Sequence, residues 1–232
     1  MAGPAETSVK TGSPLTKRER TRARLLANAI ALFREVGVRE TRLADVAEAS
    51  DVAPATLFNH FPNRAALASA WVRGEIESEA SVVARAVREE SRGLRASLRS
   101  LCRALAERNA DDPVPRWAAW QEAGRVRGST IRGFREAFAL AQQREHVRAD
   151  RSADLLADLL ADAVEGGLIA GLSVVVESRA AESSARAREI ASRIQSRVDL
   201  VLDGARKRNE RVRPGGGKRP ESARPGASAR RV

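Results

Sequence analysis

The amino-acid sequence predicts an all-α protein. Between Arg116 and Arg213 the chain contains no proline, and Ala, Leu, Arg and Glu, which all favour helices, are abundant there. Before that stretch, apolar residues recur with the helical period. No segment of useful length alternates between apolar and polar residues as a β-strand would. The regular structure is therefore expected to be helical from the first element to the last.

Composition bounds the class of protein. The 232 residues are enough for one or two domains with a buried core, and 43% of them are hydrophobic. Cys102 is the only cysteine, which excludes an intramolecular disulfide and favours a reducing compartment. No run of eighteen apolar residues is present, and the first twenty residues lack the apolar segment of a signal peptide. These features predict a soluble cytoplasmic protein with no membrane partner.

The net charge of +11 is concentrated at the two ends of the chain. Residues 205–232 carry +8 and residues 1–24 carry +4, so that the rest of the chain is close to neutral. Basic ends of this kind can lie along a polyanion. Because both ends have few apolar residues to bury, we expect a disordered arm at residues 1–15 and a disordered basic tail at residues 205–232. Solvation without any partner is the alternative interpretation of the tail.

The first helix is marked by signals at both of its ends. Thr16 and Glu19 form a T-x-x-E capping box, which predicts that a helix begins at the next residue after Thr16. Apolar residues then follow with a helical period, and Gly37 supplies the stop. One helix is therefore expected over residues 17–36.

Two short helices joined by a tight turn are predicted next. Thr41 is the expected N-cap of the first, which ends near Ser50, and residues 51–52 make the turn. Pro54 suits the first position of the second helix, which runs to about Phe61, because its missing N–H is not needed there. Apolar residues of this segment can form a small core: Leu43, Val46, Ala47, Val52, Leu57, Phe58 and Phe61. The arrangement is a helix-turn-helix.

The remaining helices are placed by caps and breaks. Asn63 is expected to cap a long helix that runs to about Glu90. The segment 111–115, with two prolines, is the clearest break after it. Further helices are expected at residues 94–109, 115–124, 129–146, 152–178 and 181–203. We therefore expect two domains, residues 17–67 and residues 68–204.

Small and polar residues of the helix-turn-helix suit contact with duplex DNA. A recognition helix enters the major groove with its N-terminal end facing the base edges, and the residues at that end are small here. Arg42 has the length and fork geometry to read guanine, whereas the Thr41 hydroxyl suits a phosphate. The candidate DNA contacts are Lys17, Thr41, Arg42, Ala53, Pro54, Ala55, Thr56, Phe58, Asn59, His60 and Arg64. Taken singly, such residues are more often solvated or capping residues.

The spacing of these residues resembles that of a known family. Residues 33–37 read F-x-x-x-G, and the matching positions that follow are Thr41, Val46-Ala47, Val52, Thr56-Leu57-Phe58, His60-Phe61, Arg64 and Leu67. Over residues 17–67 the chain thus resembles the DNA-binding domain of the TetR family of transcriptional regulators. It departs from the family pattern at four positions: Arg42, Asp51 in place of the turn glycine, Ala53 in place of a capping serine, and Phe58 in place of tyrosine. These departures weaken single contacts and leave the resemblance intact.

Residues 68–204 resemble the family in the number and length of their helices. The resemblance implies a pocket for a small-molecule effector and a dimer interface, usually a four-helix bundle made by the last two helices of each subunit. The candidate pocket residues are Trp71, Leu101, Cys102, Trp117, Trp120, Phe134 and Phe138. For each of them, an ordinary place in the core is the alternative.

Two stripes on the last two predicted helices support a packing role. The first stripe consists of apolar and small residues: Leu155, Leu159, Ala163, Gly166, Ala170 and Ser173. The second stripe consists of apolar residues: Ile190, Ile194, Val198, Val201 and Leu202. Small residues let helices approach closely, so the stripes suit a dimeric bundle. We assign to the dimer interface Leu155, Leu159, Ala163, Gly166, Ala170, Ile190, Ile194, Val198 and Val201. An intramolecular core is the alternative for each stripe.

The sequence therefore predicts a sequence-specific DNA-binding transcriptional regulator. Repression is the commonest mode in the family it resembles, so we expect a homodimer that binds a palindromic operator and is released by a small-molecule effector. An enzyme is not expected, and no catalytic residue, metal or cofactor is predicted, because the chain has two histidines, one cysteine, no tyrosine and no phosphate-binding glycine loop. The alternative function is a sequence-independent DNA-organising protein that uses its basic tails.

Overall fold

The computed structural model describes residues 15–124, 131–178 and 182–206, and every regular element within these ranges is a helix. The helices are α1 (Lys17–Glu35), α2 (Leu43–Ala49), α3 (Pro54–His60), α4 (Arg64–Arg88), α5 (Leu94–Asp111), α6 (Pro113–Ala123), α7 (Arg132–Gln143), α8 (Ala153–Ser178) and α9 (Ser183–Ala205). The predicted all-α fold is confirmed. The expected helix starts at residues 129 and 181 lie outside the described residues.

Local interactions fix the ends of the first three helices. The capping box of α1 is present: the Glu19 N–H donates to the Thr16 hydroxyl, and the Glu19 carboxylate accepts from the Thr16 N–H at 2.8 Å. Gly37, with φ 102°, takes the left-handed conformation after α1. Asp51, with φ 49°, takes it in the turn between α2 and α3, and aspartate tolerates this region better than most residues. Pro54 begins α3, as predicted.

The prediction that Thr41 caps α2 is wrong. Arg42 is the N-cap residue, and its side chain makes no capping hydrogen bond. Thr41 is 2% exposed, and its N–H and hydroxyl both donate to the Gly37 carbonyl oxygen, the hydroxyl at 2.7 Å. Thr41 therefore closes the loop between α1 and α2, where a buried hydroxyl needs a partner. At this position no accessible hydroxyl is left for a DNA phosphate.

The helix α4 connects α1, α2 and α3 to the rest of the chain. Asn63 caps it, as predicted, by accepting a hydrogen bond from the Ala66 N–H at 2.8 Å. Its 25 residues span about 37 Å. Apolar residues are buried along its whole length, and α5, α6 and α7 all pack against it. Near its start, the Trp71 ring stacks on Phe33 of α1 with 6.1 Å between the ring centroids.

The helices α8 and α9 pack closely against each other, and α9 also packs against α5. A Cβ atom at Gly167 would lie 2.5 Å from the Ile194 Cα, and one at Gly171 would lie 2.8 Å from the Ile190 Cα. These two glycines therefore set the distance between the helices. Ile190, Ile194 and Val198 are fully buried inside the subunit, so their assignment to the dimer interface is wrong. They belong to the intramolecular core, because α5 and α8 cover them.

The end of α9 is held beside the connection between α7 and α8. An isolated bridge joins Val147 and Arg206, and the Arg148 N–H donates to the Ala205 carbonyl oxygen at 3.0 Å. Because Ala205 is buried, the predicted tail boundary at residue 205 is two residues too early. The chain after Arg206, and residues 1–14 of the predicted arm, lie outside the described residues.

This end of α9 is far from the first three helices. Arg95, in the first turn of α5, pairs with Asp199 of α9 at 2.6 Å and also with Asp203. Since α5 follows directly on the C-terminal end of α4, the end of α9 lies at the opposite end of α4 from α1, α2 and α3. The separation is therefore about the 37 Å length of α4.

The helix α8 is long and apolar. By length and composition alone it could cross a membrane, with a mean hydropathy of 1.8 over its most apolar window. The core helix of a soluble protein passes the same test, and 44% of that window is buried inside the subunit. Leu155 and Leu159, near its start, stay exposed.

Candidate DNA-binding site

The helix α3 presents one side to the core of the N-terminal domain and the other to solvent. Leu57 and Phe61 are buried in the hydrophobic core of the subunit, and α3 packs against α2. Phe58, next to Leu57 on the helix, is 51% exposed, so the prediction that it belongs to the small core is wrong. The exposed residues at and around α3 are Ala53, Pro54, Ala55, Phe58 and Asn59, whereas Thr56 and His60 are half-buried. Small residues in the first turn, followed by an exposed Asn, suit close approach to a major groove.

Arg42 stands at the start of α2 with its side chain 79% exposed. Its Nε and Nη2 atoms donate to the two carboxylate oxygens of Asp45 at 3.0 and 2.7 Å. The hydrogen bond from Arg42 is the main cause that lowers the pKa of Asp45 from its ordinary value, and the same bond raises the pKa of Arg42. Both groups therefore stay charged near neutral pH. To bind a guanine edge, Arg42 has to leave or share Asp45.

Two basic residues of α1, Lys17 and Arg22, have different surroundings. Lys17 is exposed at the first position of α1. Arg22 donates from Nη1 to the His60 carbonyl oxygen at 2.8 Å, and its guanidinium lies 4.1 Å from the centroid of the Phe61 ring. Arg22 therefore ties α1 to the end of α3, and His60 takes part through its backbone. This role of Arg22 was not predictable from the sequence, because no local pattern links residues 38 positions apart.

Arg64 has a different place from the one predicted for it. Its Nη1 donates to the Arg39 carbonyl oxygen at 2.6 Å, while Nε and Nη2 donate to the Glu122 carboxylate at 3.1 and 3.3 Å. The side chain thus joins the start of α4 to the loop before α2 and to α6. Its guanidinium is already paired within the subunit, so we assign to Arg64 a positioning role rather than the predicted phosphate contact.

Trp71 lies at the junction between the N-terminal domain and the larger helical domain. Its ring contacts Phe33 and lies 5.7 Å from the Arg34 guanidinium and 5.3 Å from that of Arg116. Its Nε1 donates to Glu75 at 3.2 Å, and Arg116 Nη1 donates to the same carboxylate at 2.6 Å. We call these five residues the Trp71 cluster. It connects α1, α4 and α6 through one packed aromatic ring.

Two further ion pairs cross between helices near this junction. Arg34 of α1 pairs with Asp112, the residue before α6, at 2.8 Å. Arg73 of α4 pairs with Glu165 of α8 at 3.1 Å, and both side chains are largely buried. Burial raises the pKa of Glu165, and the Arg73 charge opposes that shift. A movement of α4 would therefore change the contacts of α4 with α1, α6 and α8 together.

The residues predicted to line an effector pocket are dispersed. Phe134 and Phe138 are fully buried in the core, as are Trp71 and Trp120 to within a few per cent, while Trp117 is half-buried. The other two residues line different cavities. Cys102 lines a groove of about 920 Å³ between α5 and α9, and Leu101 lines a slot of about 160 Å³ between α4 and α5. The structure does not gather the seven residues around either cavity.

The Cys102 thiol is set for packing rather than reactivity. The residue is buried, and desolvation, helped by the negative charge of Asp199, raises the pKa of the thiol to about 12. At neutral pH the thiol is therefore protonated and a poor nucleophile.

Some of the residues predicted for the dimer interface are accessible on the surface of the subunit. Leu155 is 44% exposed and Leu159 is 47% exposed, although both are leucines on an apolar helix. Ala163, Gly166 and Ala170 of α8 and Val201 of α9 are half-buried on the described subunit. These six residues remain available to a second copy, unlike the buried isoleucines of α9.

The fold and the exposed side of α3 define a class, that of helical proteins with an N-terminal helix-turn-helix. Residues 25–71 match the family model of bacterial regulatory proteins of the tetR family. The match includes α2, α3 and the first turns of α4. These residues therefore form a DNA-binding domain of the type found in the TetR family of transcriptional regulators, as the sequence pattern predicted.

Solved structures share the fold over most of the chain. FadR of Thermus thermophilus, a TetR-family transcriptional repressor in complex with lauroyl-CoA, is 23% identical, with a TM-score of 0.59 over 84% of this chain and 100% of its own. A TetR-family regulator from Pectobacterium atrosepticum is 21% identical, with a TM-score of 0.50 over 84% of this chain and 99% of its own. No curated protein sequence matches the chain significantly.

Proposed function

We propose that the protein is a homodimeric repressor that binds a palindromic operator with α3 of each subunit and is released by a small-molecule effector. The observation that carries the proposal is the exposed side of α3, where Phe58 and Asn59 face solvent on a helix anchored by Leu57. Residues 17–67 form the DNA-binding domain in this proposal, and residues 68–204 the effector and dimerisation domain.

The DNA contacts divide into two kinds. Ala53, Pro54, Ala55, Thr56 and Asn59 lie where α3 would meet base edges, with Phe58 against the wall of the groove. Lys17 and Arg42 lie at the flanks, where a phosphate is the nearest partner and where Arg42 can also reach a base. Thr41 and Arg64 act from behind this surface, since the first closes the loop before α2 and the second holds that loop to α4.

Dimerisation is supported by the apolar surface of α8. Leu155, Leu159, Ala163, Gly166 and Ala170 recur three or four positions apart and form an apolar stripe, which the subunit leaves exposed at the two leucines and covers in part at the other three residues. A stripe of this kind is costly in water and is buried when two copies pair about a two-fold axis. Pairing then sets the separation of the two α3 helices, which on DNA has to equal about one helical turn or a multiple of it.

Response to an effector is supported by the junction between the domains. The Trp71 cluster and the Arg64–Glu122 pair join α4 and α6 to the helix-turn-helix, so a ligand that moves α4 or α6 would change the orientation of α3. FadR of Thermus thermophilus, which shares the fold, binds lauroyl-CoA. We propose a regulatory rather than a catalytic use of such a ligand, and no metal or cofactor.

Selection from a random DNA library tests the proposal. The wild-type protein is expected to enrich one palindromic motif, and Asn59→Ala is expected to lose or alter it because the exposed side of α3 reads the bases. Arg85→Ala, which removes an exposed arginine on α4 away from α3, serves as the control and should enrich the wild-type motif. Binding with no enriched motif would support the sequence-independent alternative and contradict the proposal.

A further inference from the structure

A narrow slot lies between the outer sides of α4 and α5. Its volume is about 160 Å³. Val82, Val83 and Ala86 of α4 form one wall, and Leu101 and Ala104 of α5 form the other. A cavity of about this size lined by apolar residues accommodates one benzene ring. The slot is separate from the aromatic core that contains Phe134 and Phe138.

Ser97 places an unpaired hydroxyl at one end of this slot. The residue is 4% exposed, and its Oγ is buried without a hydrogen-bond partner. Buried polar groups are almost always hydrogen-bonded, because a group that loses its hydrogen bonds to water on folding and forms none within the protein destabilises the folded state. A ligand atom in the slot would supply the missing partner.

The same end of the slot carries a positive charge. Arg92, in the connection between α4 and α5, also lines the slot and donates from Nη1 to the Ser100 hydroxyl at 2.8 Å. At the other end, Glu79 is already paired with Arg108 at 2.8 Å, which neutralises its charge. The slot is therefore apolar along its walls and cationic at the end where Ser97 and Ser100 meet.

We propose that this slot binds a small carboxylate with an apolar body of about one ring. The carboxylate would accept hydrogen bonds from the Arg92 guanidinium and the Ser97 hydroxyl, and charge-assisted bonds of this kind are among the strongest that side chains make. The apolar body would lie between Val83 and Leu101. Binding at this slot goes beyond the proposed repressor function and does not depend on DNA.

Calorimetric titration of the full-length protein with benzoate, in the absence of DNA, tests the site. Benzoate is expected to bind with one site per subunit, and benzamide, which has the same shape without the charge, about tenfold more weakly or not at all. Ser97→Ala and Arg92→Leu are each expected to weaken benzoate binding by about tenfold or more. Arg85→Leu removes an exposed arginine of α4 outside the slot, so it should leave binding unchanged.

A variant that fills the slot tests its location independently of the polar groups. Ala104→Leu adds a side chain from the α5 wall, so binding should be lost while circular dichroism and the melting temperature show a folded protein. The proposal is overturned if the wild-type protein does not bind benzoate. It is also overturned if Ser97→Ala and the folded Ala104→Leu variant bind as tightly as the wild type, because the ligand would then lie elsewhere.

Discussion

The Arg64 guanidinium on α4 pairs with the Glu122 carboxylate on α6, with 3.1 Å between Arg64 Nε and Glu122 Oε1. The same guanidinium donates to the Arg39 carbonyl oxygen at 2.6 Å, in the loop that leads into α2. One side chain therefore links a helix of the larger domain to the approach of the helix-turn-helix. This geometry makes Arg64 a positioning residue for the DNA-binding surface.

Glu122→Gln separates a positioning role of Arg64 from a phosphate contact. If Arg64 positions the loop before α2, loss of the Glu122 charge loosens that loop and weakens operator binding by several-fold. If Arg64 instead bound phosphate, release from Glu122 would strengthen DNA binding. Because both side chains are partly exposed, the free energy of unfolding should fall by only about 0.5–1 kcal/mol.

A double-mutant cycle with Arg64→Met supplies the control. The two substitutions should be non-additive in operator affinity, because they remove the same ion pair. Additive effects, or tighter DNA binding by Glu122→Gln, would contradict the positioning role.

Arg42 and Asp45 form an exposed pair whose two members should have opposite effects on DNA binding. Arg42→Ala should cost about 1–3 kcal/mol of binding free energy and relax the preference at one operator position. Asp45→Asn should strengthen binding, since it frees Arg42 and removes a negative charge near the phosphates. Anisotropy titrations with a panel of operator variants measure both effects. If Arg42→Ala weakens the affinity for all operator variants equally, Arg42 contacts a phosphate rather than a base.

The pH dependence of this pair follows from the lowered pKa of Asp45. A carboxylate whose pKa is lowered in the folded state contributes stability above its unfolded pKa and loses it as the pH falls through the folded value. Near neutral pH the pair is therefore fully formed. The difference in affinity between the wild type and Asp45→Asn should stay constant there and shrink only in acid.

The features that depend on a few neighbouring residues were predictable from the sequence. The capping box of Thr16, the left-handed turn at Asp51 and the cap at Asn63 depend on residues within four positions. Contacts between distant segments were not predictable. Nothing in the sequence relates Arg64 to Glu122, 58 positions away. The bond from the Thr41 hydroxyl to Gly37 is local, four positions back, but a threonine before a helix is equally suited to cap that helix, so the pattern alone did not distinguish the two roles.

The apolar stripe of α9 shows the same limit. Its periodicity correctly indicated that one side of the helix is buried. Periodicity does not say which surface covers that side, and the structure shows that α5 and α8 of the same subunit cover Ile190 and Ile194. The seven predicted pocket residues are dispersed for a related reason, because aromatic residues fill cores as readily as they line cavities.

Gly167 and Gly166 differ in what surrounds them, which gives a matched pair of substitutions. Gly167→Ala would place a Cβ 2.5 Å from the Ile194 Cα, so the helices must move apart and the free energy of unfolding should fall by about 1–3 kcal/mol. At Gly166 the nearest atom, Arg197 Nε, lies 3.7 Å away, so Gly166→Ala should be tolerated. Urea denaturation at one protein concentration compares them. Equal stability of the two variants would contradict the packing of α8 on α9.

The proposed dimer face is tested by a charge on α8. Leu159→Lys should shift the protein from dimer to monomer in analytical ultracentrifugation, because a lysine would replace an apolar residue at the interface. Val114→Lys changes an even more exposed apolar residue, on α6, and should leave the dimer intact. A wild-type monomer at micromolar concentration, or a dimeric Leu159→Lys variant, would contradict the assignment.

The basic residues after Arg206 should add affinity that depends on salt rather than on DNA sequence. Residues 207–232 carry nine Lys or Arg and two Glu. Truncation after Arg206, which keeps the buried Ala205, should reduce the slope of log affinity against log salt by a few units. An unchanged slope would support the solvation alternative.

Hydroxyl-radical footprinting of the selected operator tests whether two subunits place two α3 helices on DNA. Two equivalent protected patches related by a two-fold axis are expected, with centres about 10 bp or a multiple apart. Both patches should disappear together in Leu159→Lys at concentrations where that variant is monomeric. A single asymmetric patch, or protection spread evenly along the DNA, would contradict binding by a two-fold dimer.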